Sequence, residues 1–199
     1  MKKLLFLGSF LLMLGVSNAQ VELWLGPKAG VNIANVSEVE GDALIGANLG
    51  AAFMVKFNKR YALQPELGFS MQGSKKVGGS NENLKLDYFT VGVINKLYFV
   101  EGFHMLAGPE FNFKVNDTFS DFSYDDDNDE WDFDDEGIQP FDFAIVAGLG
   151  YDFPFGLSID ARYKQGLMDI NDFFGFGEDD NNLNHAFQIG LSYKFHLNK

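Results

Sequence analysis

The chain has 199 residues, contains no cysteine, and carries a formal net charge of −13 from 28 acidic and 15 basic side chains. The absence of cysteine excludes disulfide bonds and thiolate metal sites, and the negative charge argues against nucleic acid as a partner. About 180 residues follow a short N-terminal leader, which is enough material for one domain.

The leader has the features of a secretory signal peptide. Two lysines precede an apolar run at residues 4–16, and three small residues follow at 17–19. The apolar run is too short to cross the ~30 Å hydrocarbon core of a bilayer as a helix, so cleavage is expected rather than anchoring. We predict a signal peptide at residues 1–19 and a single mature domain at residues 20–199.

After the leader, apolar and polar residues alternate in segments of about ten residues. Alternation of this kind places one set of side chains on each face of a β-strand. It predicts eight strands, at residues 24–34, 43–57, 61–71, 84–99, 103–115, 141–153, 157–167 and 184–197. Within the fourth segment the apolar residues change from even-numbered to odd-numbered positions near Tyr88, which predicts a β-bulge there.

Short and long connections alternate between the predicted strands. The short ones lie at 58–60, 100–102 and 154–156, and the long ones at 35–43, 74–83, 117–137 and 171–183. This combination is typical of transmembrane β-barrels. We therefore predict an all-β fold, an eight-stranded antiparallel up-and-down barrel in the outer membrane of a Gram-negative bacterium. The short turns and both termini should face the periplasm, and the long loops should be extracellular.

The polar face of the predicted strands carries charges of both signs. An eight-stranded barrel is just wide enough inside for its own side chains, and an unpaired buried charge is costly. Ion pairs should therefore fill the lumen, which argues against a general porin; a narrow ion pathway is the alternative. The charged residues expected to face inward are Lys28, Lys56, Glu66, Lys96, Glu110, Lys114, Asp160, Arg162, Lys164 and Lys194.

Three short motifs resemble a known family. They are Gly26-Pro27-Lys28-Ala29-Gly30-Val31-Asn32, Leu63-Gln64-Pro65-Glu66-Leu67-Gly68-Phe69-Ser70 and Gly108-Pro109-Glu110-Phe111. They resemble the small outer-membrane β-barrel domains of Bacteroidetes called PorT-like, over residues 24–196. The resemblance implies the same fold and location and, through the namesake, a link to a protein secretion system.

The last predicted strand has a second signal. Gln188, Gly190, Tyr193 and Phe195 fit the spacing polar-x-Gly-x-x-aromatic-x-aromatic. This pattern resembles the signal read by the barrel-assembly machinery, which can recognise an exposed strand by strand addition. The expected partners are this machinery during insertion, outer-membrane lipids afterwards, and a secretion-system or cell-surface protein.

The predicted loop at residues 117–137 contains eleven acidic residues and neither lysine nor arginine. The residues at positions 1, 3, 5 and 12 of an EF-hand-like spacing are Asp125, Asp127, Asp129 and Glu136. Position 6, which an EF-hand reserves for glycine, is Glu130. These four residues are therefore candidates for a surface calcium site of another kind, with a solvated acidic loop as the alternative. We predict no other cofactor.

Catalytic motifs are missing from the sequence. It has no G-x-S-x-G, no P-loop and no H-E-x-x-H. Of the three histidines only His185 lies near the predicted extracellular rim, and its position in the strand places it on the lipid-facing side. We expect that the protein is not an enzyme.

Overall fold

The structure, a computed structural model, describes residues 21–37, 42–75, 83–117, 140–169 and 183–198. Its strands are β1 (Glu22–Val36), β2 (Asp42–Lys56), β3 (Tyr61–Lys75), β4 (Asn83–Tyr98), β5 (Phe103–Asp117), β6 (Phe141–Asp152), β7 (Leu157–Asp169), β8 (Leu183–Tyr193) and β9 (Phe195–His196). Within these residues there is no helix of the length and hydropathy that a membrane span requires. The predicted signal peptide lies outside them, as do the four candidate calcium residues Asp125, Asp127, Asp129 and Glu136.

The strands form one closed antiparallel sheet. Each strand pairs with its neighbours in chain order, and β1 pairs with both β2 and β8. The short β9 also pairs with β1 and continues β8 beyond Lys194, so the barrel has eight strands. Because the ring of described strands is closed, it has no edge strand, as a lipid environment requires, since hydrocarbon cannot form hydrogen bonds with backbone groups. The predicted up-and-down barrel is confirmed.

The three tight connections all lie at one end of the barrel. They occupy residues 57–60, 99–102 and 153–156. Gly102 and Gly156 have φ angles of 80° and 99°, which glycine adopts far more readily than other residues. The first and last of the described residues meet at this same end, where the backbone N–H of Leu23 donates to the side-chain oxygen of Asn198 at 2.7 Å. We call this the turn end of the barrel.

Aromatic pairs flank each tight connection. They are Phe57 with Tyr61, Phe99 with Phe103, and Phe153 with Phe155, with ring centroids 5.7, 6.4 and 5.3 Å apart. Bulky rings at the ends of barrel strands are typical of the membrane–water interface. The turn end therefore coincides with one boundary of the apolar outer surface.

The two faces of the sheet differ as the alternation predicted. In β8, the apolar Phe187 and Ile189 are about half exposed, whereas the polar Gln188 between them is 1 % exposed. The same inside-out pattern recurs around the barrel, with large apolar side chains outside and polar or charged ones inside. An outer surface of this kind suits a lipid environment.

The structure corrects one predicted detail of β4. Its register with β5 does shift at the predicted bulge, where Asp87 pairs with Asn116. The next residue, Tyr88, pairs with Lys114, so the additional residue lies in β5 and the phase of β4 does not change. Leu86 and Tyr88 are therefore buried inside the barrel rather than facing lipid. The predicted outward position of Leu86 and Tyr88 was wrong because the lumen accepts apolar side chains as well as polar ones.

Candidate functional site in the barrel lumen

A charged cluster built around Arg162 occupies the lumen. The guanidinium donates two hydrogen bonds to Glu66, from Nη1 to Oε2 and from Nη2 to Oε1, both 2.8 Å long. Its Nε donates to Oδ1 of Asp160, two residues away on the same strand, at 2.5 Å. Since β7 and β3 lie four strands apart in a ring of eight, the pair of Arg162 and Glu66 joins opposite walls of the barrel.

Two lysines complete this cluster. Lys28 of β1 donates to Oε2 of Glu66 at 2.7 Å, and Lys164 of β7 donates to Oε1 of Glu110 at 2.5 Å. What we call the central ion-pair cluster consists of Lys28, Glu66, Glu110, Asp160, Arg162 and Lys164. Its three positive and three negative charges cancel, and none of its side chains is more than 10 % exposed. Buried charges are tolerated here because each has a close partner.

A second cluster lies nearer the turn end, around Asp152 at the end of β6. Oδ1 of Asp152 accepts from the ammonium groups of Lys96 and Lys194, both at 3.2 Å, and from the hydroxyl of Ser158. Oδ2 accepts from the hydroxyl of Tyr98 at 2.6 Å. We call these five residues the turn-end cluster. Within the described residues Lys96 and Lys194 form ion pairs with this one carboxylate only.

Amide side chains line the lumen towards the long loops. Oδ1 of Asn32 accepts from Nδ2 of Asn48 at 3.0 Å and from Nε2 of Gln188 at 2.8 Å. Farther out, Nδ2 of Asn184 on β8 donates to Oε1 of Gln72 on β3 at 2.9 Å. The first two bonds link β1 to its neighbours β2 and β8, whereas the third crosses the lumen between the nonadjacent strands β8 and β3. The outer half of the lumen is therefore also occupied by the protein's own side chains.

The space that remains beside the central ion-pair cluster is small. A cavity of about 20 Å³ adjoins Lys28, Glu66 and Gln188, which is room for a water molecule because one needs roughly 10–15 Å³ of such space. Among the residues that the structure describes, no group of three or more His, Cys, Asp or Glu side chains could hold a metal ion. The lumen therefore resembles a packed polar core.

Most of the predicted inward-facing charges are where the alternation placed them. The buried or nearly buried ones are Lys28, Glu66, Lys96, Glu110, Asp160, Arg162, Lys164 and Lys194. Lys56 and Lys114 are only partly buried and lie close to the two ends of the barrel. His185 is confirmed on the outer face of β8, where its Nδ1 lies 3.4 Å from Oγ of Ser37.

The sequence reasoning missed Asp152 and Asp142, although both occupy inward positions of β6. Asp152 was overlooked because it adjoins a turn, yet it holds the turn-end cluster together. Asp142 is 2 % exposed and accepts from Nδ2 of Asn112 at 3.1 Å. Both lie within the strand predicted at 141–153, on the face opposite Phe143 and Ile145, so reading every charged residue of that face as inward would have found both.

Comparison with known proteins places these features in context. Residues 18–172 match the sequence model of a family described as "Outer membrane protein beta-barrel domain". Neisserial surface protein A superposes with a TM-score of 0.51 at 12% identity, over 87% of this chain and 97% of that chain. None of the curated proteins matches the sequence.

Two further solved structures are similar over most of their length. The attachment invasion locus protein Ail of Yersinia pestis, in complex with the heparin analogue sucrose octasulfate, has a TM-score of 0.44 at 14% identity, covering 88% of this chain and 97% of that chain. The outer membrane protein OprG of Pseudomonas aeruginosa has a TM-score of 0.40 at 13% identity, covering 89% and 97%. At such low identities these likenesses concern the fold alone.

Proposed function

The chain belongs to the family of outer membrane protein beta-barrel domains, and we propose that it serves in the outer membrane as a non-enzymatic scaffold with a filled lumen. Its function would then depend on what the long loops contact at the cell surface, and neither solute passage nor catalysis would take part. Both termini would be periplasmic, which fits the position of Leu23 and Asn198 at the turn end.

The hydrogen bonds between Arg162 and Glu66 are the observation that supports a filled lumen most directly. They join opposite walls of the barrel, and the remaining ion pairs and amides occupy the space around them. A wide aqueous pathway would require these charges to separate and to be hydrated. Their mutual attraction in a confined interior opposes that separation.

Reconstitution in planar bilayers tests this proposal. The purified barrel should give no stable single-channel steps, while a wide porin treated in parallel provides the positive control. Reproducible steps that disappear in Arg162→Gln or Glu66→Gln would instead assign the protein as a narrow channel. An unchanged lipid A profile in a deletion strain would support the absence of enzymatic activity, and an altered profile would contradict it.

The resemblance to the PorT-like group supports a second candidate function, a component of a protein secretion system. The motifs that carry this resemblance lie at residues 26–32, 63–70 and 108–111. Affinity purification of the tagged barrel after crosslinking in intact cells would separate the two candidates. Stoichiometric recovery of periplasmic or inner-membrane secretion proteins would favour the secretion role, and recovery of surface ligands alone would favour the scaffold.

A further inference from the structure

A cavity of about 120 Å³ lies at the turn end of the lumen. This is several times the roughly 10–15 Å³ of such space that one water molecule needs. Trp24, Met54 and Leu157 give it an apolar part, and Lys56, Lys194, Asp152 and Glu101 give it a charged part. A cavity divided in this way suits a small molecule that has one apolar and one charged end.

The buried side of the charged part has more lysines than carboxylates, whereas Glu101 is exposed at its rim. Two buried lysines, Lys96 and Lys194, share the single carboxylate of Asp152, which also accepts hydrogen bonds from two hydroxyl groups. Lys56 has its own partner at the rim, since its Nζ lies 4.0 Å from Glu22. The buried turn-end cluster therefore has two lysines for one carboxylate, an arrangement that favours the approach of an anion.

Lys194 is the cation best placed to receive that anion. Its side chain is 2 % exposed, and its Nζ lies 3.2 Å from Oδ1 of Asp152 and 3.2 Å from Oε1 of Gln64. The third neighbour is the thioether of Met54, at 3.9 Å. A thioether is a weak acceptor, so a carboxylate in the cavity would be a much stronger partner for the remaining ammonium hydrogen.

Trp24, in the wall of the cavity, has no polar group left for a ligand. The indole N–H of Trp24 donates to Glu22 at 3.3 Å, and one face of the ring stacks on His196 with centroids 4.5 Å apart. What Trp24 offers the cavity is therefore apolar surface. The hydrocarbon end of a ligand would lie there, and its charged end would lie on Lys194.

We propose that this cavity binds a small monocarboxylate with an apolar tail, of the size of butyrate or valerate. The carboxylate accepts hydrogen bonds from Lys194, and the tail lies against Trp24 and Met54. Phosphate has the charge but not the apolar end, so it should bind weakly or not at all. The site lies within the turn end itself, so binding does not depend on whether the lumen conducts ions.

Fluorescence of Trp24 provides a direct test. The chain has two tryptophans, so Trp131→Phe leaves Trp24 as the sole reporter in the intact barrel. In lipid nanodiscs, valerate should change its emission saturably and inorganic phosphate should not. The additional change Lys194→Gln should weaken valerate binding roughly tenfold, because one charge-assisted hydrogen bond is lost. Lys59→Gln, which removes the same charge from an exposed turn position, should leave binding unchanged.

A second variant tests the proposed binding site if Lys194→Gln does not fold. Met54→Phe adds volume inside the cavity without changing its charge, and it should abolish the valerate response. The proposal is overturned if valerate gives no saturable change, if phosphate gives an equal one, or if the response persists in both Lys194→Gln and Met54→Phe.

Discussion

Arg162 and Glu66 meet from opposite walls of the barrel through two parallel hydrogen bonds of 2.8 Å, although they are 96 residues apart in the chain. Glu66 also accepts a hydrogen bond from Lys28, so its single negative charge is shared between two cations. Because Glu66 has several buried partners on other strands, it holds the walls of the barrel together at the centre of the lumen.

Replacement of Glu66 by glutamine should lower the free energy of unfolding by about 3–5 kcal/mol, because the change leaves a buried cation without its partner. Urea unfolding in lipid vesicles measures this loss. Glu22→Gln removes a carboxylate that is 44 % exposed and should cost less than about 1 kcal/mol. The double variant Glu66→Leu with Arg162→Met removes one charge of each sign and should be more stable than Glu66→Gln. Equal losses in Glu66→Gln and Glu22→Gln would show that the central ion-pair cluster contributes little.

Gly26→Ala should prevent closure of the barrel. A side-chain carbon at Gly26 would lie 1.8 Å from the main-chain oxygen of Tyr193 on the adjoining strand, so β1 and β8 could not approach each other. The closed barrel should resist SDS until it is heated, and the variant should lose this heat-dependent shift in migration. The matched control is Gly92→Ala, where the nearest atoms would be 3.7 Å away. If Gly26→Ala keeps the shift, strand pairing at this position is looser than the structure indicates.

The signal peptide should be removed during export. Mass spectrometry of the protein recovered from the outer-membrane fraction should show a mature chain that begins at Gln20, because small residues at 17–19 suit signal peptidase. Ala19→Arg should block processing, while Ala29→Ser, in a strand of the mature barrel, should not. Detection of an intact N-terminal Met in the membrane fraction would refute the predicted cleavage.

Calcium should order the acidic loop at residues 117–137 if Asp125, Asp127, Asp129 and Glu136 form a site. In a Trp24→Phe background, millimolar calcium, typical of weak extracellular sites, should change the emission of Trp131 and slow proteolysis of the loop. Asp127→Asn with Asp129→Asn should abolish both effects. Asp179→Asn with Asp180→Asn, an equal charge change in another loop, should abolish neither. Indifference of the native loop to calcium would leave it a solvated acidic segment.

The alternation of residues along each strand determined most of the fold. A period of two is a local property, so it can be read without knowing which strands pair. The predicted links at 58–60, 100–102 and 154–156 agree with the observed ones within one residue at either end. At the end of the barrel opposite these links, predicted strands were shorter than the observed ones. For example, β3 continues to Lys75 rather than ending at residue 71. Polar residues near the loops interrupt the alternation of apolar and polar residues, so it does not define the strand ends there.

The pairing of the lumen charges was decided by the tertiary structure alone. The sequence identified Glu66 and Arg162 as inward-facing, but only the closure of the ring and the register of its strands place them opposite each other. The same holds for Asp152, whose four donors come from two other strands, β4 and β7, and from the residue between β8 and β9. Strand alternation depends on the nearest neighbours in the chain, whereas contacts across a barrel depend on the sum of every strand register around it.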